Sequence, residues 1–159
     1  MLFVDAEVRD SRIAGKGLFL RAPVAKGTVV SIHGAKAQLL TQAEYQEAQR
    51  QGHELAIRTG IRWVGRYFLH ATEMPPEAYL NHSDDPALLY HCGISFARRD
   101  LAVGDELTVD YTLFLAEDDV EGFEDRATGR MLYGLPPRDS LLRSAEELVR
   151  ILRDIDRIP

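Results

Sequence analysis

Between Leu2 and Ile94 the apolar residues come in short clusters, each cut off by Gly, Pro or Asp before a long helix could form. That rhythm suits short strands and tight turns, and it predicts a mostly β body of α+β class. The expected strands are Phe3 to Val8, Leu18 to Leu20, Thr28 to His33, Glu54 to Arg58, Ile61 to Val64, Tyr67 to His70, Leu88 to His91, Ile94 to Ala97 and Glu106 to Asp110. Pro23-Val24-Ala25-Lys26-Gly27 and the stretch from Arg99 to Asp105 each place a Gly where a turn needs positive φ, and Thr59-Gly60 can close a hairpin. The two Gly turns resemble each other, but two occurrences fall short of a repeat.

One helix is expected inside the β region. Thr41 can cap it, Glu44 stands three residues on at capping-box spacing, and Gly52 ends it. Its surface is polar nearly all round, which places it on the outside or beside a cleft. After Tyr111 the composition changes: Glu117, Asp118, Asp119, Glu121, Glu124 and Asp125 come with no base among them. Such a run is either a solvated connector or a docking surface for a basic peptide. Beyond Pro136-Pro137, Leu141, Leu142, Ala145, Leu148, Val149, Leu152 and Ile155 recur at helical spacing, with Ser144 and Glu147 offering a second capping box. The apolar face of this C-terminal amphipathic helix packs either on the β body or on the same helix of a second subunit in a homodimer. The expected division is a domain over 1–115, an acidic linker over 116–137 and a helical extension over 138–159.

A chain of 159 residues can bury one core and has no room for two full domains. Its net charge of −6, without any run of Lys and Arg, argues against direct nucleic-acid binding and favours basic partners. Cys92 is the lone cysteine, so an internal disulfide and a thiolate-rich zinc site are excluded. The five histidines show no metal-ligand spacing, and no metal is expected. The chain starts without a basic region and apolar run, and no apolar stretch reaches membrane-spanning length. The expectation is a soluble intracellular protein, cytoplasmic or chromatin-associated.

Three segments carry chemistry. In the stretch from Ser11 to Phe19, Gly15 and Gly17 flank Lys16 ahead of a short strand. Glycines there either let the backbone approach a ligand or make an ordinary hairpin turn. Tyr79-Leu80-Asn81-His82-Ser83 concentrates donors and acceptors between apolar neighbours, and alone it could equally be a polar turn. In Glu106-Leu107-Thr108-Val109-Asp110-Tyr111, alternation puts Leu107, Val109 and Tyr111 on one face and Glu106, Thr108 and Asp110 on the other. A tyrosine hydroxyl at the end of a buried face must find a partner in the protein or in a ligand.

Together the three resemble, in order and spacing, the motifs of the SET domain, the fold of S-adenosylmethionine-dependent protein lysine methyltransferases. The likeness runs from about Val8 to Phe114. It implies a β-clip-like fold of several short sheets in which the segment after Asn81-His82 is wrapped, knot-like, by the chain around Tyr111. It further implies that Gly15, Lys16, Gly17 and Leu18, with Asn81 and His82, bind S-adenosyl-L-methionine. Tyr111 is then the catalytic tyrosine, and Tyr79, Val109 and Tyr111 line the channel for the substrate lysine.

The chain departs from the family at four places. Ile32 stands before His33-Gly34 where many members carry a tyrosine. Asp84-Asp85-Pro86-Ala87 replaces a Cys-x-Pro-Asn sequence, and no cysteine cluster follows Tyr111, so Phe114, Phe123 or Tyr133 must supply the channel's last wall. Val109 occupies a position where an aromatic residue often restricts the number of methyl groups added. The resemblance implies methyl transfer to the ε-amine of a lysine in a protein, with a basic histone-like tail as the expected substrate class. The alternatives are a non-catalytic module that binds S-adenosylmethionine or a peptide, and an all-β interaction domain in which Asn81-His82-Ser83 is a buried turn.

Overall fold

The glycine-punctuated sequence builds four small sheets and three helices, seen in a computed structural model that describes residues 1–33, 36–118, 123–126 and 128–155. In chain order, β1 (Ala6–Asp10) and β2 (Lys16–Leu20) lead to β3 (Val29–Ile32) and β4 (Ala37–Thr41). Helices α1 (Gln42–Arg50) and α2 (Glu54–Thr59) precede β5 (Ile61–Val64) and β6 (Tyr67–Ala71). Then come β7 (Asn81–His82), β8 (Leu88–His91), β9 (Ile94–Ala97) and β10 (Glu106–Val109). The chain finishes with β11 (Phe123–Asp125), β12 (Arg130–Leu132) and α3 (Pro137–Arg153). The sheets run β1-β2-β10-β7, β3-β9-β8, β4-β6-β5 and β11-β12.

Residues from three of the sheets make the main core, in which Leu18, Val30, Leu88 and Leu107 are wholly buried. A smaller core joins the two helices to the third sheet: Tyr45 of α1 stacks on Phe68 of β6 at 4.4 Å, against Ala56 of α2 and Ala116. The capping box of α1 forms as the sequence predicts, with Thr41 and Glu44 each bonding the other's backbone. Gly27 and Gly104 take positive φ, as their turns require. The segments that the family resemblance wraps around each other are laced together: β7 runs parallel to β10, Ser83 N–H donates to the Val109 carbonyl, and Ala87 N–H donates to the Thr108 hydroxyl.

Several expectations need correction. Glu54 to Arg58 is helix, not strand: the His53 side chain accepts from Ala56 N–H, and Ala56 is drawn under Tyr45. Thr59-Gly60 closes no hairpin but ends α2, and Gly60 is required because a Cβ there would stand 2.2 Å from the Tyr45 ring. The first strand starts at Ala6 and leaves Phe3 exposed. Strand β10 is buried on both faces, since Thr108 binds Ala87 and Asp110 caps the following turn through Thr112. The acidic stretch holds the β11-β12 pair, in which Asp125 is buried. Gly34, Asp119 and Glu121 lie outside the described residues, as do residues 156–159.

Helix α3 begins at Pro137, where the missing N–H costs nothing in a first turn. Ser144 is therefore no cap but a buried mid-helix residue whose hydroxyl meets His91 Nδ1 at 2.9 Å. Two further ties run to the segment around Tyr111: the Ser140 hydroxyl donates to the Leu113 carbonyl at 2.6 Å, and the Arg143 guanidinium lies 3.0 Å from the Asp110 carboxylate. The helix packs on β8 with Ile151 buried, while Leu142 and Val149 stay exposed. Among the described residues no helix is long and apolar enough to cross a membrane.

Candidate active site

The site has two sides joined by three consecutive residues, Leu80, Asn81 and His82. On the first side stands the loop from Ser11 to Gly17. The Asn81 amide Nδ2 donates to the Lys16 carbonyl at 3.1 Å, the Ala14 carbonyl at 3.3 Å and the Glu106 carboxylate at 2.7 Å. The Ser11 hydroxyl sits 2.8 and 2.9 Å from the two oxygens of the same carboxylate and accepts Ile13 N–H. Glu106 fills the place beside Gly17 so closely that a Cβ there would lie 2.3 Å from Oε1. Gly15 has φ +46° and open space where its side chain would be.

The Asn81 amide thus fixes the shape of the loop. The Lys16 side chain points to solvent and pairs with Asp10 at 2.7 Å, so its backbone belongs to the site and its ammonium does not. Leu18 is wholly buried, registered between Val8 and Leu107, and anchors the loop to the sheet.

His82 connects the two sides. Its Nδ1 accepts Tyr111 N–H at 3.2 Å, which puts the ring proton on Nε2. That nitrogen is buried and has no hydrogen-bond partner among the described residues; Asp84 Oδ1, 3.5 Å away, is at the limit of contact and makes no hydrogen bond to it.

On the second side is a cavity of about 640 Å³. Tyr111, Val109, Leu80, Phe114 and Phe123 line it, and so do Met1, His33 and Glu77. The Tyr111 hydroxyl donates to the Leu80 carbonyl at 2.7 Å, and its ring meets Phe114 and Phe123 at centroid distances of 5.1 and 4.7 Å. Burial raises the phenol's pKa, so it stays protonated at neutral pH and acts as a hydrogen-bond donor.

Of the aromatic candidates for the last wall, Phe114 and Phe123 take it and Tyr133 is exposed. The expected channel residue Tyr79 does not line this cavity. The 3-10 turn over Pro76–Tyr79 gives Glu77, Ala78 and Leu80 to the wall and carries Tyr79 away from it, towards the charge of Lys16. Ile32 is likewise outside the wall, where its neighbour His33 stands. Ser11 and Glu106 were missed as loop clamps because nothing local couples residues so far apart. Among the described residues no group of His, Cys, Asp and Glu is placed to hold a metal ion.

The family model of the SET domain matches residues 15–112, well over half of the chain. The chain belongs to the SET-domain family. SET domains are generally protein lysine methyltransferases that use S-adenosylmethionine. No curated protein matches the chain. Two features of this SET domain fit an adenosyl cofactor: the open space beside the backbone at Gly15 and the orphaned His82 Nε2.

Burial also sets a pH response. It lowers the pKa of His33 to about 4 and lowers that of His91, against an ordinary value of 6.5. Both rings bind protons more readily in the unfolded chain, so their contribution is full above about pH 6.5 and is lost as pH falls towards 4. Urea midpoints are expected to fall between pH 7 and pH 4.5, and less steeply in His33→Asn; equal slopes would remove His33 from this account.

Proposed function

We propose that this SET domain transfers a methyl group from S-adenosylmethionine to the ε-amine of a lysine in a protein substrate. The observation that carries the reading is the hydrogen bond from Tyr111 to Leu80, which holds a protonated phenol in the cavity wall, one residue from the Asn81-His82 pair that shapes the loop. S-adenosylmethionine, when bound, supplies an activated methyl group. The backbone of Gly15, Lys16 and Gly17, with Asn81 and His82, would hold it.

The cavity supplies the other requirement, an uncharged amine. Walls of Val109, Leu80, Phe114 and Phe123 cannot hydrate an ammonium, so they lower the lysine pKa and favour the neutral nucleophile. The Tyr111 hydroxyl orients that amine, and confinement between these walls removes much of the entropic barrier to alignment. A phenol held protonated is no general base, so the amine's proton leaves to solvent before or during entry. Val109 leaves room beside the amine, which allows more than one methyl group to be added.

The substrate is a protein with an accessible lysine. The surplus of acidic residues favours a basic one, because opposite charge raises association rates. The expected setting is the cytoplasm or chromatin. Incubation with radiolabelled S-adenosylmethionine and a cell lysate is expected to label protein lysines. Cofactor binding without labelled product from any basic protein would favour the non-catalytic reading instead.

A further inference from the structure

His82 and Leu80 take the N–H and the hydroxyl of Tyr111 itself, but the residues on either side of it in the chain are held by the C-terminal segment. Asp110 caps the short 3-10 turn Tyr111–Leu113: its Oδ1 accepts the Thr112 N–H at 3.0 Å and the Thr112 hydroxyl at 2.7 Å. These bonds span Tyr111 and restrict the backbone angles that aim its ring. The Leu135 N–H donates to the Thr112 carbonyl at 2.8 Å, and the Ser140 hydroxyl to the Leu113 carbonyl.

The second oxygen of the Asp110 carboxylate is taken by Arg143 of α3 at 3.0 Å. The Asp110 side chain is only 10% exposed, and among the described residues no other Lys or Arg pairs with it. A carboxylate so far out of water is stable only when paired, and without Arg143 it is drawn towards solvent and away from Thr112. Arg143 is itself 56% exposed, so shortening it opens no hole in the core. The helix that carries it is docked by other residues as well: Arg98 pairs with Glu147, His91 meets Ser144, and Ile151 is buried. The effect of losing Arg143 is therefore confined to the turn.

We propose that Arg143 is a positioning residue for the methyl transfer: from α3 it holds the Asp110 carboxylate, and through the turn which that carboxylate caps it sets the Tyr111 phenol towards the substrate amine. It touches neither substrate nor cofactor. This inference rests on the proposed lysine methylation, since it names what holds the tyrosine of that reaction in place.

The first test reads Tyr111 without turnover. The full chain, with its six tyrosines, is labelled with 3-fluorotyrosine, and the Tyr111 fluorine resonance is the one that disappears in Tyr111→Phe. In Arg143→Ala that resonance is expected to shift or broaden, while the resonance of Tyr45, in the smaller core, stays in place. Glu147→Ala breaks the tie of α3 to Arg98 and none to the turn, and it is expected to leave Tyr111 unmoved. An unmoved Tyr111 resonance in Arg143→Ala overturns the proposal. So does an equal shift in Glu147→Ala, which would reduce Arg143 to general docking of the helix.

The second test is kinetic, with radiolabelled S-adenosylmethionine and purified histones as methyl acceptor. Arg143→Ala is expected to lower kcat about tenfold, short of the roughly 100-fold that a misplacement of about 1 Å costs, with KM and cofactor affinity within about twofold. Arg143→Lys keeps the charge and is expected to recover most of the rate. Asp110→Asn keeps the shape and removes the charge, so it is expected to match Arg143→Ala, and the double variant to lose little more; additive losses overturn the coupling. Methyl transfer with an unmoved Tyr111 resonance removes the role of Arg143 and leaves the activity standing. A moved resonance in a protein whose unaltered form transfers no methyl group does the reverse.

Discussion

Replacing Tyr111 by phenylalanine is expected to lower kcat by about 100- to 1,000-fold while leaving the affinity for S-adenosylmethionine unchanged, the loss typical of removing one oriented hydrogen-bonding group from a reacting centre. The ring stays, so the contacts with Phe114, Phe123 and His82 survive. Only the hydroxyl goes, and with it the donor to the Leu80 carbonyl. One lost hydrogen bond to a neutral acceptor costs about 1 kcal/mol of stability, which a urea titration measures. Single-turnover rates with labelled donor measure the rest. An undiminished rate would remove Tyr111 from the chemistry.

A second large effect is expected from Gly17→Ala. The new Cβ would stand 2.3 Å from Glu106 Oε1 and 3.1 Å from the Phe19 ring, so the carboxylate must leave its place. It then gives up bonds from the Ser11 hydroxyl and the Asn81 amide, and hydrogen bonds to a charged group are worth about 1.5–3 kcal/mol each. Calorimetry is expected to show cofactor affinity reduced by at least about tenfold.

Gly15→Ala provides the contrast. Its φ of +46° strains any side chain by about 1–2 kcal/mol, but nothing lies within 4 Å of the added atom. Gly15→Ala is expected to cost stability and to disturb the clamp less. Truncating Glu106 to alanine in the Gly17→Ala background removes the collision, so the two losses are expected to be far from additive; strict additivity would show that the carboxylate and the glycine act separately.

The parts of this architecture that were legible in the sequence are those whose cause is local. Thr41 and Glu44 cap α1 by their own spacing, and Gly27 and Gly104 turn the chain by their own φ. Asn81, His82 and Tyr111 could be picked out because the motifs around them are specific to a family. Elements made by distant partners were misread. Leu55 and Ile57 alternate like a strand, yet Ala56 packing against Tyr45 makes that stretch a helix. Ala37–Thr41 has no strand signature of its own and becomes β4 by pairing with Tyr67–Ala71.

The same limit applies at the site. The bond between Ser11 and Glu106 spans 95 positions and leaves no local trace. Tyr79 is expected in the wall of the channel, and the tight turn before Leu80 leaves it out of the lining of the cavity.

The pairing of β2 with β10 has a consequence for synthesis on the ribosome. The glycine loop emerges well before Asn81 and Glu106, which hold it, and β10 supplies the neighbour that β2 lacks until then. Sites assembled from widely separated contacts close late, because the entropy of a long loop must be overcome first. Until β10 leaves the exit tunnel, the nascent chain carries the loop without its clamp, and a fragment ending before Glu106 is expected to lack a formed glycine loop.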